Sequence, residues 1–499
     1  MLIQFALIAL AVGLAGAVPS LVVKGSHFVN PATGKVFQIV GIAYQPGGSA
    51  GYDPSTGKDP LSHGDACLRD AALMQAMGVN TIRVYNLDPD INHDECASIF
   101  NAAGIYMIID VNSPLVGEAI TSYQPWTSYY MAYLNHTFAV VESFSNYPNT
   151  LLYFSGNEVI DKPESATDVP PYLRAITRDL KNYIKNNVKR QIPVGYSAAD
   201  VRTVLWDTWN YMQCAIDGEA TDMSRADIFA LNSYSWCGPE ATFESSSYNE
   251  LTDKFKDSSV PVFFSEYGCN RPQPRLWNET VAIYSDKMMP TFSGGVVYQW
   301  TEEENNYGLV SIKDDKLSIM GDYNRLKAKW ATIDWDTVQS QSPSKKNNAP
   351  PECEASLIVE KEFDKNFTLP AVPDDAQKLI DKGIKPKPVG KIVDISDYKV
   401  KLTVVDSDGK EVSDLKVIPL KDDDFNWAGK NLIEISSGSN STAANDTATT
   451  SDTVTDASGA DQSTKIENSK SGDEDSVAMS LRPLLWVAAM LPLTVILIV

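Results

Sequence analysis

Eight apolar runs, separated by longer segments, constrain the fold of this chain more than any other feature of its sequence. The runs are continuously apolar, which is typical of parallel strands buried on both faces. They lie at residues 36–44, 79–87, 104–112, 150–159, 192–198, 227–236, 260–269 and 294–302. Eight parallel strands that each lead into a helix close most simply as a barrel of about 250 residues. The sequence therefore predicts an α/β fold, a (β/α)8 TIM barrel, within residues 18–340.

The segments between the runs carry the periodicity of helices. After the pair Pro170-Pro171, which suits the first turn of a helix, apolar residues recur every four positions between residues 172 and 188. A doubly wound sheet is the competing architecture, and it would need a glycine-rich phosphate turn after its first strand. The pair Gly47-Gly48 follows that strand without the required spacing, so the barrel is favoured.

Two further segments follow the predicted barrel. Residues 398–405 and 412–419 alternate apolar and polar side chains around a turn-like sequence, which indicates a β-hairpin. We therefore expect residues 341–435 to form a small β-containing appendage packed on the barrel. Residues 436–480 are rich in Ser, Thr and Asp and poor in large apolar side chains, so they are predicted to form a disordered stalk.

Both ends of the chain indicate the secretory route. Residues 1–17 are an apolar run that ends in Ala15-Gly16-Ala17, which is typical of a cleaved signal peptide. Residues 472–499 combine a polar spacer with an uncharged tail, which is typical of a GPI-attachment propeptide removed on maturation, with Ser471 as the attachment residue. The alternatives are a membrane helix at either end. We expect a monomer at the cell surface, held to plasma membrane or cell wall through its GPI lipid.

An extracellular location gives meaning to two other residue patterns. The six cysteines predict three disulfides, whose pairing is open among fifteen possibilities: Cys67, Cys96, Cys214, Cys237, Cys269 and Cys353. Five sequons predict N-glycosylation at Asn135, Asn278, Asn366, Asn440 and Asn445.

Charge and histidine spacing exclude several classes of function. The 64 acidic and 42 basic side chains give a net charge of −22, which disfavours binding to nucleic acid phosphates. The four histidines are scattered and match no zinc motif. We therefore expect neither a metal nor another cofactor.

Two acidic residues are the candidates for catalysis. Barrel enzymes carry their active sites at the carboxyl ends of the strands, and Glu158 and Glu266 end the fourth and seventh runs, which are otherwise apolar. A single such carboxylate is more simply interpreted as structural. Two of them across one barrel mouth can cleave a glycosidic bond, one as proton donor and one facing the anomeric carbon.

Aromatic residues at the ends of the runs favour a sugar-binding groove, because their rings can stack on pyranose faces. Core packing is the alternative for each. The set is Tyr44, Tyr85, Tyr123, Trp126, Tyr234, Trp236, Tyr298, Trp300 and Tyr307.

Longer motifs resemble a known family. The strings GIAYQPGG (41–48), IRVYNLDP (82–89), FSGNEVI (154–160), SEYGC (265–269) and EEENNYGLV (302–310) are similar to those of the fungal GPI-anchored 1,3-β-glucanosyltransferases, glycoside hydrolase family 72. The resemblance covers about residues 20–340. Only Cys353 follows Cys269, so the chain resembles the short subgroup, which lacks the cysteine-rich carbohydrate-binding module.

The resemblance implies roles for individual residues. Glu158 matches the general acid/base and Glu266 the nucleophile. The positions that match the donor site are Gln45, Tyr85, Asp110, Asn157, Tyr234 and Tyr298. The family's disulfide pattern would pair Cys67–Cys96, Cys214–Cys353 and Cys237–Cys269. Gln299-Trp300 stands where Glu-Tyr is expected, so the neighbouring subsite departs from the family pattern.

The implied activity is retaining transglycosylation of 1,3-β-glucan. An internal β-1,3 linkage of a donor chain is cleaved, and the new reducing end is joined to the non-reducing end of an acceptor chain. Two alternatives stay open on the sequence alone: a 1,3-β-glucan hydrolase, and a non-catalytic wall protein that binds glucan.

Overall fold

A computed structural model describes residues 17–345 and 348–430 of the 499-residue chain. All of them belong to one compact unit. The predicted signal peptide up to residue 16, the predicted stalk, the GPI signal with Ser471 and the sequons at Asn440 and Asn445 lie outside the described residues.

A closed barrel of eight parallel strands forms the centre of the fold. A small antiparallel sheet precedes it and comprises β1 (Val22–Lys24), β2 (His27–Val29) and β3 (Val36–Phe37). The barrel strands are β4 (Ile39–Ala43), β5 (Thr81–Val84), β6 (Tyr106–Asp110), β7 (Thr150–Asn157), β8 (Val194–Ala199), β9 (Ile228–Ser233), β10 (Val262–Tyr267) and β11 (Phe292–Val297). Each strand pairs with its neighbours in sequence, and β11 closes the ring on β4. The predicted TIM barrel is confirmed.

A helix follows every barrel strand. These helices are α1 (Gly64–Met77), α2 (Asp94–Ala102), α3 (Met131–Phe144), α4 (Pro170–Asn187), α5 (Arg202–Gln213), α6 (Tyr248–Phe255), α7 (Asn278–Ile283) and α8 (Gly321–Trp330). The predicted proline start is observed in α4, whose Leu173, Ile176 and Leu180 are fully buried. An antiparallel hairpin of β12 (Val310–Lys313) and β13 (Lys316–Ile319) precedes α8.

Aromatic side chains plug the amino end of the barrel. Phe37 packs edge-on against Tyr106, with ring centroids 5.1 Å apart, and against Phe425, at 5.0 Å. Phe28 packs on Phe263 from the same side. Since this end is closed by apolar packing, the carboxyl ends of the strands form the open mouth.

The C-terminal segment wraps the barrel and contains little regular structure. It comprises α9 (Trp335–Gln339), α10 (Ala376–Lys382) and β14 (Val404–Val405), which pairs in parallel with β13. The predicted hairpin is present: the backbone N–H of Val400 donates to the Leu415 carbonyl, and that of Val412 to the Val404 carbonyl. Regular pairing within this hairpin is short, so β14 is the one segment of residues 398–419 that forms a strand.

Three disulfides link distant parts of the described chain. Cys67–Cys96 joins α1 to α2, and Cys214–Cys353 ties the end of α5 to the C-terminal segment. Cys237–Cys269 joins the connections that follow β9 and β10. These are the pairs that the family resemblance implies.

Three of the predicted glycosylation sites lie within the described residues. Asn135 on α3 and Asn366 are exposed, whereas Asn278 is partly buried and accepts a hydrogen bond from Lys329 Nζ at 2.9 Å. Of the helices between residues 17 and 430 that the structure describes, none has the length and apolar character to cross a bilayer.

Candidate active site

The two candidate carboxylates share the open mouth of the barrel. Glu158 directly follows β7 and Glu266 lies near the end of β10, the fourth and seventh barrel strands. Glu266 is buried, with 7% of its surface exposed, whereas Glu158 is open to solvent within the recess of the mouth. The two acids therefore sit in different environments, which is how paired carboxylates acquire different roles.

The backbone aims Glu158 into the mouth. Its φ of 50° lies in the left-handed region, which is costly for a residue with a Cβ and is found mainly where function requires it. The backbone N–H of Glu158 donates to the Ser197 carbonyl at 2.9 Å. Oε1 of its carboxylate accepts from Asn232 Nδ2 at 3.0 Å, which fixes the side chain toward the middle of the barrel.

Three donors surround the carboxylate of Glu266. Tyr234 donates its hydroxyl to Oε2 at 2.6 Å, and Tyr85 donates to Oε1 at 2.9 Å. Arg83 Nη1 contacts the same Oε1 at 3.2 Å. Such donors favour the charged form of a carboxylate and orient it.

Arg83 connects the residues of the mouth, and sequence reasoning did not single it out. Its fully buried guanidinium binds both oxygens of Asp110, at 3.1 and 2.8 Å, and donates to Asn157 Oδ1 at 2.8 Å. It also contacts Asn232 Oδ1 at 3.3 Å. The sequence did contain a sign of this role: Arg83 is the one basic residue in the apolar run 79–87. A charge buried in a strand needs polar partners in the fold, so such a residue is a candidate for a network.

Loss of contact with bulk water raises the pKa of both acids. Burial raises the pKa of Glu266 to about 7; Arg83 opposes that shift, Glu158 adds to it, and the Tyr234 and Tyr85 hydroxyls oppose it. The walls of the recess keep bulk water from Glu158 and so raise its pKa, against the hydrogen bond from Asn232 and the charge of Arg83. Three donors on Glu266 favour its charged form and oppose the effect of burial, whereas Asn232 donates to Glu158.

The remaining predicted donor-site residues surround this pair. Tyr298 forms an aromatic cluster with Tyr234 and Tyr307, with ring centroids 5.3–6.2 Å apart. Asn157 accepts on Oδ1 from Arg83 and from Ser197 Oγ, each at 2.8 Å. Gln45 is buried just beyond β4.

Asp110 has a supporting position. Both of its oxygens bind Arg83, and only 5% of its surface is exposed. Its contact with the guanidinium holds Arg83 beside Glu266.

Two of the aromatic candidates belong to the core, so a sugar-stacking role for them is wrong. Tyr44 is fully buried and donates its hydroxyl to Asp70 at 3.0 Å. Trp300 is fully buried and packs on Tyr323. Both residues follow an apolar strand. At such a position the sequence alone does not show whether a ring points into the core or into the mouth of the barrel.

The barrel with two carboxylates at its mouth has the architecture of barrel enzymes that act on glycosidic bonds. A family model for glycoside hydrolase family 72, described as glucanosyltransferase, matches residues 11–334. The chain belongs to this family.

Individual relatives agree with the family assignment. The chain is 50% identical to 1,3-beta-glucanosyltransferase gel2 of Aspergillus fumigatus, over 83% of this chain and 86% of that protein. It is 38% identical to 1,3-beta-glucanosyltransferase GAS4 of Saccharomyces cerevisiae, over 84% and 87% of the two chains. The structure of Saccharomyces cerevisiae Gas2p in complex with laminaritriose and laminaritetraose superposes with a TM-score of 0.62 at 32% identity, covering 72% of this chain and 78% of that one.

Proposed function

We propose that this protein is a retaining 1,3-β-glucan transglycosylase that elongates glucan chains. It cleaves an internal β-1,3 linkage of a donor and joins the new reducing end to the non-reducing end of an acceptor. The observation that carries the proposal is the pair Glu158 and Glu266 in one mouth, with three donors on Glu266. Membership of a family described as glucanosyltransferase supports the same activity.

The first half of the reaction forms a glycosyl-enzyme ester. A carboxylate oxygen of Glu266 attacks the anomeric carbon while the bond from that carbon to the departing glucan oxygen breaks. The proton on Glu158 passes to that oxygen, and the reducing-end fragment leaves. Asn232, hydrogen-bonded to Glu158, keeps the acid oriented for this transfer.

The second half returns the enzyme to its starting state. Glu158, now a carboxylate, takes the proton from the hydroxyl of an incoming sugar, whose oxygen attacks the anomeric carbon. The ester bond to Glu266 breaks and the charge returns to Glu266, where Tyr234, Tyr85 and Arg83 stabilise it. Two displacements give a product with the β configuration of the donor.

Product length tests the choice between sugar and water as acceptor. We expect incubation with one purified 1,3-β-oligosaccharide to give products both shorter and longer than the substrate. Products that are only shorter would contradict transglycosylation and indicate a hydrolase. Glu158→Gln and Glu266→Gln keep the side-chain shape and remove the ionisable group. If either variant gave the wild-type product profile, the non-catalytic alternative would be favoured.

We also propose that the other donor-site residues contact the sugar next to the cleaved bond, with Gln45, Asn157 and Tyr298 lining this subsite. The motifs that match the family and the position of these residues around Glu266 support this assignment. Each alanine variant should raise KM for the donor more than for the acceptor.

We also propose that the protein is a monomer at the cell surface. The sequence of both ends supports secretion and a GPI anchor. Phosphatidylinositol-specific phospholipase C should release the protein from intact cells. Protein that stays in the membrane fraction after this treatment would contradict the anchor.

A further inference from the structure

The connection between β6 and α3 exposes several large aromatic rings to solvent. We call Tyr123, Trp126 and Tyr130 the aromatic rim; Tyr123 is 77% exposed and Trp126 is 50% exposed. Large exposed apolar patches on soluble proteins mark sites that bind a partner or ligand. None of the reaction steps above uses these rings.

Hydrogen bonds hold the rim in a fixed conformation. Trp126 lies in a helical turn, Pro125–Thr127, and Ser128 Oγ donates to the Pro125 carbonyl at 2.9 Å. The backbone N–H of Thr121 donates to Ser128 Oγ at 3.0 Å, and Thr121 Oγ1 donates to the Tyr123 carbonyl at 2.9 Å. Rings presented on an ordered turn bind a ligand with little further loss of entropy.

The strand order places the connection that carries the rim on one side of the two acids. Glu266 on β10 and Glu158 after β7 divide the mouth into two arms. One arm is formed by the connections after β11, β4, β5 and β6, and the other by those after β8 and β9. A polymer cleaved at an internal bond passes between the two acids and extends into both arms. The rim lies on the connection after β6.

Hydrogen bonds join the connection after β6, which carries the rim, to β7 and to the connections after β4 and β5. Asn112 Nδ2 donates to the Ser155 carbonyl on β7 at 3.0 Å, three residues before Glu158. Tyr52, from the connection after β4, contacts Glu118 Oε2 and the Leu87 carbonyl, each at 3.5 Å. The connections after β4, β5 and β6 therefore form one continuous wall.

We infer that the aromatic rim is an outer glucan subsite, where the rings stack on pyranose faces several residues away from the cleaved bond. This inference rests on the proposed function. The equatorial hydroxyls of β-glucose leave apolar C–H faces that suit stacking on Tyr and Trp. Residues 111–131 contain no Lys or Arg and one Glu, which fits a neutral polymer and disfavours an anionic membrane surface.

A length series of reduced 1,3-β-oligosaccharides tests the subsite with the secreted protein. For the double variant Tyr123→Ala with Trp126→Ala, we expect kcat/KM for the shortest accepted substrate to stay unchanged. For the longest substrate kcat/KM should fall about tenfold, through KM, since outer-subsite binding is shared by ground and transition states. Trp126→Phe should keep most of the wild-type length dependence.

An exposed apolar residue of the C-terminal segment provides the matched control. Val359 is 83% exposed, and Val359→Ala should leave the whole length series unchanged. An equal loss for short and long substrates, or no loss for any, would overturn the subsite. Loss of binding to phosphatidylcholine vesicles with a normal length series would assign the rim to membrane instead. If the proposed function is wrong, the wild-type protein will make no elongated product, and this result is distinct from a change in the length series of the rim variant.

Discussion

At the scale of single residues, Arg83 sets the charge state of the mouth. It is fully buried and links Asp110, Asn157 and Glu266 through one planar group. This buried group contacts Glu266, the proposed nucleophile, so we assign it a positioning role. Lysine cannot reproduce this arrangement, because an ammonium group lacks the planar, rigid set of N–H donors that a guanidinium presents.

Replacing Arg83 separates positioning from stability. Arg83→Met leaves Asp110 as an unpaired buried charge, so we expect the free energy of unfolding to fall by about 3–5 kcal/mol and kcat to fall more than about 100-fold. The double variant with Asp110→Asn removes both charges. It should recover most of the stability, measured by denaturant unfolding, and little of kcat. Recovery of both together would contradict a positioning role.

The hydroxyl of Tyr234 controls the pH dependence of activity. It favours the charged form of Glu266, so Tyr234→Phe should raise the pKa of that carboxyl further above its ordinary value. In the proposed mechanism Glu266 acts as a carboxylate, so activity should fall as pH drops through its pKa. The acidic limb of the kcat/KM profile should therefore move upward by about 0.5–1 pH unit.

Tyr298 provides the comparison for this pH shift. It lies in the same aromatic cluster, with its ring 6.2 Å from that of Tyr234. Tyr298→Phe should change KM and leave the acidic limb in place. An identical limb shift in both variants would contradict the specific hydrogen bond from Tyr234.

At the scale of elements, two disulfides with similar loop lengths have different places in the fold. Cys237–Cys269 closes a separation of 32 residues and joins the connections after β9 and β10, next to Tyr234 and Glu266. Cys67–Cys96 closes 29 residues between two outer helices. In the chain-entropy account each bond stabilises the fold by about 3–4 kcal/mol.

Removing each disulfide by paired serine substitution therefore forms a matched experiment. We expect similar losses of unfolding free energy for both double variants. Below the unfolding temperature, kcat should fall for the variant of Cys237 and Cys269 and stay near wild type for that of Cys67 and Cys96. Equal kcat for both would show that the first disulfide does not position the site.

The barrel elements could be predicted from the sequence because buried parallel strands are continuously apolar. Each of the eight runs overlaps a barrel strand, and six contain theirs; β8 ends one residue past its run and β11 begins two residues before its run. The run 227–236 extends beyond β9 (Ile228–Ser233) because apolar and aromatic residues continue into the mouth. The two acids could be predicted because each interrupts an apolar run near its end. The network through Arg83 and Asn232 could not, since it depends on strands that are far apart in sequence.

At the scale of the whole molecule, the C-terminal segment stabilises the barrel from the end opposite the site. Asn426 is fully buried and donates through Nδ2 to the carbonyls of Gln75, at 3.0 Å, and Val79, at 2.9 Å. Phe425 beside it packs on Phe37 in the barrel floor. Sequence patterns could not predict this path, because it is set by tertiary contacts and not by local periodicity.

Asn426→Ala tests this division between stability and activity. It leaves two buried carbonyls without their donor, so we expect the free energy of unfolding to fall by about 2–3 kcal/mol. Product profile and kcat should stay unchanged at a temperature where the variant is folded. A fall in kcat without a change in stability would show that the segment acts on the site.

In the proposed mechanism, Glu266 carries the glucan chain between donor and acceptor as an ester. The most direct test is to trap that ester in Glu158→Gln with a 1,3-β-oligosaccharide bearing a leaving group that needs no acid, and to digest the protein for mass spectrometry. We expect an oligosaccharide adduct on Glu266 and on no other residue. An adduct on a different residue, or turnover with inverted configuration and no adduct, would contradict it.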